Sequence, residues 1–393
     1  MPKWLAAVLV VLLGCSGALA QQQPATPNPR LQPAAEAVAK FIRADPSGAA
    51  ELFAPQFLQQ VSAAQLSALF AKLFTDLGAV TSVKLISTPS SNDGVFDFQF
   101  AKGMHAPVVL VLSNAASRNI TGLRIGAPTP IHDSFAALLA QMRTLPGQVS
   151  FLAQRLEPGK PAATLAEWQA EKALGIGSTF KLYILGALSQ AVAQNKLHWD
   201  HVVKLDTHSL ASGQLQSWPL GTPLTLQSLA TLMISISDNT AADQLLRTLG
   251  RETIEAQQTT MGNGHAALNR PFLTTLEMFQ LKYGDAARRQ SFLDGNAAAR
   301  RALLAALPAS ATAEMNSKLT AASAGVGPRE IENLEWLASA ADICHALAWF
   351  QAPESDSARA TAREILAINR GLPVPASNWS YIGFKGGSEP GVM

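Results

Sequence analysis

The 393-residue chain has little cysteine, little tyrosine and little charge: two Cys, three Tyr, and 15% Asp, Glu, Lys and Arg combined. Average soluble proteins carry roughly 25% charged residues. The net charge of +2 is spread without long runs, which excludes the basic footprint that nucleic acid or an acidic membrane surface requires. A small-molecule or peptidoglycan-related substrate is the better expectation. One cysteine, Cys15, lies near the start and the other, Cys344, stands alone far downstream. Once an N-terminal signal is removed, an oxidising compartment offers Cys344 no internal disulfide partner. Its setting in the apolar run 341–350 makes it a packing residue. No repeat period is present, and no metal or other cofactor is expected. No transmembrane segment is expected either.

The apolar run at residues 5–13 is too short to span a bilayer, which takes roughly 20 residues. Lys3 precedes it, and Ala18-Leu19-Ala20 follows as a small-x-small cleavage site before Gln21. That is the layout of a secretory signal peptide over residues 1–20, so a periplasmic or secreted protein is expected. Leu12-Leu13-Gly14-Cys15 resembles a bacterial lipobox. If that site is used instead, Cys15 carries a lipid anchor and the product is a membrane-anchored lipoprotein. Residues 21–33, rich in Gln, Pro and Asn, read as a linker, with order expected from Ala34.

The remaining length suits two domains, because single cores stop growing at roughly 250–300 residues. Residues 34–127 begin with short helices, including 63–77, where Leu66, Leu69, Phe70, Leu73 and Phe74 recur at helical spacing. Four strand-like runs follow at 81–87, 94–101, 107–113 and 119–125. The second alternates most clearly, with Phe96, Phe98 and Phe100 on one face and Val95, Asp97 and Gln99 on the other. Helices followed by such a sheet predict a small α+β cone, and the order resembles the NTF2-like (isomerase or cyclase-like) domains. Ala127-Pro128-Thr129-Pro130 breaks the pattern and marks a domain boundary. Beyond it are a helix over 131–144, a strand over 148–155, a long helical stretch, and a strand-like end over 379–385 before a Gly-rich turn.

Three short motifs lie in order along this second part: Ser178-Thr179-Phe180-Lys181, Ser237-Asp238-Asn239 and Lys385-Gly386-Gly387. Each alone is weak, since the first also describes a helix cap followed by a surface lysine and the second a turn. Their conjunction is informative. The motif serines are 59 residues apart, Gly177 to Leu182 opens an apolar helix, and Ser237-Asp238-Asn239 precedes another helix start at Thr240-Ala241-Ala242. A serine at a helix N-terminus meets orphan N–H groups that favour developing negative charge. A lysine one turn later shares its face. The run 182–188 is apolar all round, so that lysine is expected to be desolvated, which lowers its pKa and makes a general base of it.

These motifs resemble those of the class A β-lactamase-like, penicillin-recognising serine hydrolases, over residues 131–393. The resemblance implies an α/β β-lactamase-like domain, an antiparallel sheet flanked by helices. It also implies Ser178 as the nucleophile, Lys181 as the base and Ser237 as a proton relay to the leaving group. Asn239 would hold the acyl side-chain amide, and Lys385, Gly387 and Ser388 would bind substrate. The oxyanion hole would be the backbone N–H groups of Ser178 and Ser388, with Asp238 structural. Substrates implied are β-lactams or related esters, or a peptidoglycan peptide.

The chain departs from that family in four places. The loop 261–275 contains no acid where the family carries a deacylating glutamate; Glu255 and Glu277 lie outside it, and His265 is either a substitute base or a solvated loop residue. Gly386 replaces a threonine. The interval from Ser237 to Lys385 is long, the extra length being helical material at 283–335 with Arg288, Arg289, Arg300 and Arg301, read as a solvated insertion. The resemblance further implies strands and a helix beyond Met393, so the sequence is expected to be a fragment. Three functions stay open: a β-lactamase or esterase, a penicillin-binding D,D-peptidase, and a slow binding or sensor protein that becomes acylated.

Overall fold

The computed structural model describes residues 27–115, 119–131, 134–157, 160–210, 212–323, 327–351, 356–371 and 379–393. The signal and lipobox residues lie outside these. The chain divides into two compact units, up to Leu138 and from Leu139 onward.

The first unit opens with α1 (Leu31–Phe41), α2 (Pro55–Gln60) and α3 (Ala63–Leu77). Order begins earlier than the composition of 21–33 suggested. Asn28 is tied to the turn at Ser91 and Asn92, and Leu31 is buried as the first residue of α1. Ser62 and Gln65 form a capping box that starts α3, bonding reciprocally to each other's backbone N–H. The strands β1 (Val80–Ser90), β2 (Asp93–Phe100), β3 (Met104–Leu112) and β4 (Ile120–Ile125) pair antiparallel in sequence order. Alternation along β2 is complete: Phe96, Phe98 and Phe100 are buried with Leu31, Val38, Leu66 and Phe70, while Val95, Asp97 and Gln99 face the other side. Thr129 and Pro130, read from the sequence as a breaker, form β5 on the edge of β3. Ile131 N–H bonds to Gly103 O, so the following helix, α4 (Phe135–Met142), starts four residues later than periodicity placed it.

The second unit is mostly helical. A hairpin of β6 (Phe151–Arg155) and β7 (Ala163–Trp168) comes first; β7 was hidden in a stretch the sequence read as helical. Then follow β8 (Leu174–Gly175), a 3-10 turn at Gly177–Phe180 and the central helix α5 (Lys181–Ala193). The short pair β9 (Val202–Lys204) and β10 (Pro223–Thr225) leads to α6 (Leu226–Ser235), α7 (Asn239–Leu249), α8 (Arg251–Thr260) and α9 (Thr275–Tyr283). The later elements are α10 (Ala286–Asp294), α11 (Ala297–Ala305), α12 (Ala313–Ser323), β11 (Leu337–Ala338), α13 (Ala340–Trp349) and α14 (Ser357–Ala367). Helix α5 is buried on every side over residues 181–189 and packs among α6, α7, α8 and α14. Gly186 permits this, because a Cβ there would stand 2.3 Å from the Met261 sulfur.

The unit combines helices with antiparallel pairing, as expected; among the described residues that pairing is a hairpin and two short ladders. Three expectations need correction in this unit. Among the described residues, 379–385 form no ladder: Phe384 N–H bonds to Leu366 O at the end of α14, so a helix terminus meets this segment where a neighbouring strand was expected. The arginines of 283–335 are partly engaged, since Arg301 pairs with Glu252 and Glu255, and Arg300 binds the carbonyls of Phe292 and Leu293. Cys344 is half-buried, with its thiol raised by burial. Among the described residues no helix is long and apolar enough to cross a membrane.

The face assignment along β2 is open to test. Phe98→Ala should destabilise the first unit by about 3–5 kcal/mol in denaturant unfolding, whereas Gln99→Ala on the opposite face should stay within about 0.5 kcal/mol.

Candidate active site

Ser178 stands in the 3-10 turn that enters α5. The turn is fastened from behind: Phe180 stacks on Trp336 with ring centroids 3.8 Å apart, and Ile176 N–H donates to Trp336 O at 2.9 Å. Trp336 in turn donates from its indole to Leu273 O. Sequence reading missed Trp336, because nothing local distinguishes it from any other core aromatic.

Lys181, one turn beyond Ser178, is fully buried. Its Nζ lies 3.2 Å from Ser178 Oγ, 3.1 Å from Ser237 Oγ, 2.7 Å from Ser237 O and 2.7 Å from Asn239 Oδ1. Burial, reinforced by the nearby charge of Lys385, lowers its pKa to about 7. A neutral amine has two N–H donors and one lone pair. The Ser237 carbonyl and the Asn239 amide oxygen can only accept, so they take the two donors, and the lone pair is left for a serine hydroxyl. That is the hydrogen-bond pattern of a base facing a nucleophile.

The second motif is shaped by its neighbours. Ser237 adopts the left-handed region at φ 58°, uncommon for a residue with a side chain. Ser212 Oγ donates to Ser237 O, and Asn239 N–H donates to Ser212 O, which hold the turn from the far side. Asp238 is buried and accepts from the backbone N–H groups of Ala241, Gln214 and Leu215. It caps α7 and anchors the preceding loop. One turn into α7, buried Asp243 accepts from Thr275 and Leu276 N–H, and burial raises its pKa. Ser212 carries no signal in the sequence, whereas Asp243 was findable from its i+4 spacing to Asn239.

Lys385 brings the third motif in. Its Nζ donates to Ser237 Oγ at 3.1 Å and also to Gly386 O, and burial lowers its pKa to about 8. The next residues press on the backbone of Ser178. A Cβ at Gly387 would lie 2.1 Å from Ile176 O and 2.6 Å from Ser178 N, and one at Gly177 would lie 2.9 Å from Ser388 N. Only glycine allows this approach. Gly386 has its own reason to be glycine, since a Cβ there would meet the Phe384 ring at 2.8 Å. The structure thus gathers Ser178, Lys181, Ser237, Asn239, Lys385, Gly387 and Ser388 at one place.

The loop after α8 turns elsewhere. His265 Nδ1 is 2.7 Å from Asp342 Oδ2, whose other oxygen accepts from Gly264 N–H. Asn263 donates to the Tyr183 hydroxyl, and Tyr183 is two residues beyond Lys181, roughly 200° around the helix. Among the described residues no hydrogen bond joins His265 to Ser178 or Lys181. Glu255 accepts from Phe272 N–H and pairs with Arg301, while Glu277 caps α9 and pairs with Arg251. The acids flanking the loop are therefore engaged in holding it. No group of three or more His, Cys, Asp or Glu among the described residues could hold a metal ion.

Residues 131–324 match the β-lactamase enzyme family. No curated protein sequence matches the chain significantly. Among solved structures, a β-lactamase from Sphaerobacter thermophilus is 20% identical, with 61% of this chain and 72% of that one aligned and a TM-score of 0.39. A β-lactamase from Francisella tularensis is 13% identical, covering 64% of this chain and 76% of that one, TM-score 0.42. PBP-A is 15% identical, covering 60% and 68%, TM-score 0.38. Residues 131–324, just under half of the chain, are thus similar to the β-lactamase enzyme family, and that match spans the first two of the three motifs that meet at Ser178.

Proposed function

We propose that the protein is an exported serine-dependent acyl hydrolase that opens β-lactams or related activated amides and esters through an acyl-enzyme on Ser178. The observation that carries this reading is the buried amine of Lys181, within hydrogen-bond reach of both Ser178 Oγ and Ser237 Oγ. Ser178 Oγ attacks the acyl carbonyl as its proton passes to the Lys181 lone pair. The carbonyl oxygen becomes an oxyanion between the N–H groups of Ser178 and Ser388. Collapse breaks the C–N or C–O bond, and the proton returns through Ser237 Oγ to the leaving group. Lys385, still charged, attracts a carboxylate on the substrate, and the Asn239 amide group not bonded to Lys181 meets the acyl side chain.

Slow deacylation is favoured by a separate observation. Glu255 and Glu277 are committed to the backbone and to arginines, and His265 to Asp342, so no acid or free base is presented to the acyl-ester from this loop. A penicillin-binding D,D-peptidase, or a sensor that is acylated and stays so, fits that feature as well. The first unit is proposed to be NTF2-like, and the mature chain to begin at Gln21 or at a lipidated Cys15. Cys15→Ser should release the protein from membranes in fractionation only if the lipobox is used.

Ser178→Ala should abolish covalent labelling by β-lactam or fluorophosphonate probes in intact-mass spectra, and Ser317→Ala should leave it unchanged. Lys181→Ala should slow acylation by at least about 10²-fold.

The acylation rate should rise with pH through about 7 as Lys181 loses its proton, then fall through about 8 as Lys385 loses the charge that holds the substrate carboxylate. For a neutral ester the falling limb should vanish. Lys385→Gln removes a charge that lowers the Lys181 pKa, so the rising limb should move to higher pH in single-turnover kinetics.

With a chromogenic cephalosporin, stopped flow should show a burst near about one equivalent followed by slow turnover. Fast steady-state turnover with no accumulated acyl-enzyme would show that another base works.

A further inference from the structure

A second buried lysine lies outside the motifs. Lys282, in the last turn of α9, has a fully buried side chain, as does Glu335, and its Nζ donates to Glu335 Oε2 at 2.6 Å. It also donates to Glu389 Oε1, on a side chain 14% exposed. Burial works against the charge on Lys282, but the two acids offset it and hold the ammonium protonated; burial and the neighbouring Glu389 push the Glu335 carboxyl upward in turn, so Glu389 is the more firmly charged partner. Replacing a whole buried ion cluster of this kind by apolar core residues is often neutral or stabilising, although removing one member alone leaves an unpaired buried charge. Stability alone therefore gives a weak reason for it.

What the pairing does hold is informative. Glu389 directly follows Ser388, whose N–H lies against Gly177 beside the nucleophile. Its backbone closes a tight turn with Val392, Glu389 N–H to Val392 O at 3.0 Å and Val392 N–H to Glu389 O at 2.9 Å. That turn rests on Gly175, where a Cβ would strike both Glu335 Cγ and Val392 Cγ2. On the other arm, Glu335 Oε1 accepts from Trp336 N–H, and Trp336 stacks on Phe180 and accepts from Ile176 N–H. One ammonium thus ties the backbone on both sides of the Ser178 turn to α9. No ladder holds the stretch 381–388 among the described residues; Phe384 N–H on Leu366 O and Lys385 on Ser237 Oγ hold it ahead of Ser388, and Glu389 holds it just beyond.

We propose that Lys282, through Glu389 and Glu335, is a positioning residue that fixes the Ser388 N–H opposite the Ser178 N–H as the second oxyanion donor. The inference rests on the reading of Ser178 as the acylated nucleophile. Removing one oxyanion donor costs about 10²–10³ in rate, and loosening one should cost a part of that.

The test is single-turnover acylation of the full chain by a chromogenic cephalosporin and by a neutral p-nitrophenyl ester, comparing wild type with Glu389→Gln and Glu389→Asp. Positioning predicts that Glu389→Gln lowers the acylation rate constant by about 10–10²-fold with both substrates while the burst amplitude stays full, since one oxyanion donor is loosened and the nucleophile is intact. Glu389→Asp, which keeps the charge on a shorter arm, should recover part of the rate, and the rising limb of the pH profile should not move. A full rate constant with reduced amplitude would mean that the cluster only keeps the protein folded, and would overturn the proposal. So would an unchanged rate constant in a variant of a wild type that does acylate. A wild type that never acylates would remove the Ser178 reading and this inference together. Should Glu389→Gln fail to fold, Glu389→Asp carries the same comparison.

Discussion

The site depends on a lysine buried without a carboxylate in hydrogen-bond contact. The polar partners of Lys181 are two hydroxyls, a carbonyl and an amide oxygen, and the nearest positive neighbour is Lys385. An acid at this contact would hold the ammonium charged and inert. Neutral oxygens satisfy the amine's geometry while leaving its proton weakly held, which a base near neutral pH requires. Burial on all sides of α5 supplies the rest, so the packing of Leu182, Tyr183, Ile184 and Leu185 is part of the chemistry.

Lys282 answers the same physical problem in the opposite way. It too is fully buried, but two carboxylates meet it, and it stays charged. The contrast shows how one side-chain type is left with a weakly held proton or kept charged according to the groups packed around it. Lys282 meets Glu389 in the segment after Lys385, whereas Lys181 faces Ser178.

Backbone close approach does the remaining work. Gly177 and Gly387 lie against each other's chain segments with no room for a side chain, and Ser237 is held at positive φ by Ser212 and Asp238. Strained or crowded backbone of this kind persists only where surroundings over-determine it. In the first unit Gly94 of β2 is crowded too, since a Cβ there would stand 2.5 Å from the Phe96 ring. The rest of β2 follows simple alternation, with Phe96, Phe98 and Phe100 buried and Asp97 joined through His105 to Thr129 on the other face.

Local order was legible wherever the signal was periodic or motif-like. The helix 63–77, the alternation of Phe96, Phe98 and Phe100, and the entry from Gly177 into α5 all follow from spacing that one element can express without its neighbours. The three motifs likewise named Ser178, Lys181, Ser237, Asn239 and Lys385 as chemistry-bearing residues. Sequence could not show that residues 379–385 would bond a helix end and not a strand, because ladder formation depends on what lies alongside. Nor could it show that Trp336 braces the Ser178 turn, that Ser212 holds Ser237, or that Glu255, Glu277 and His265 are each already engaged. Those are contacts between residues dozens of positions apart. Sequence determined which residues could act; only the tertiary structure decided which of them meet, because long-range pairing of buried charges is set by the packing of whole elements and not by any local pattern.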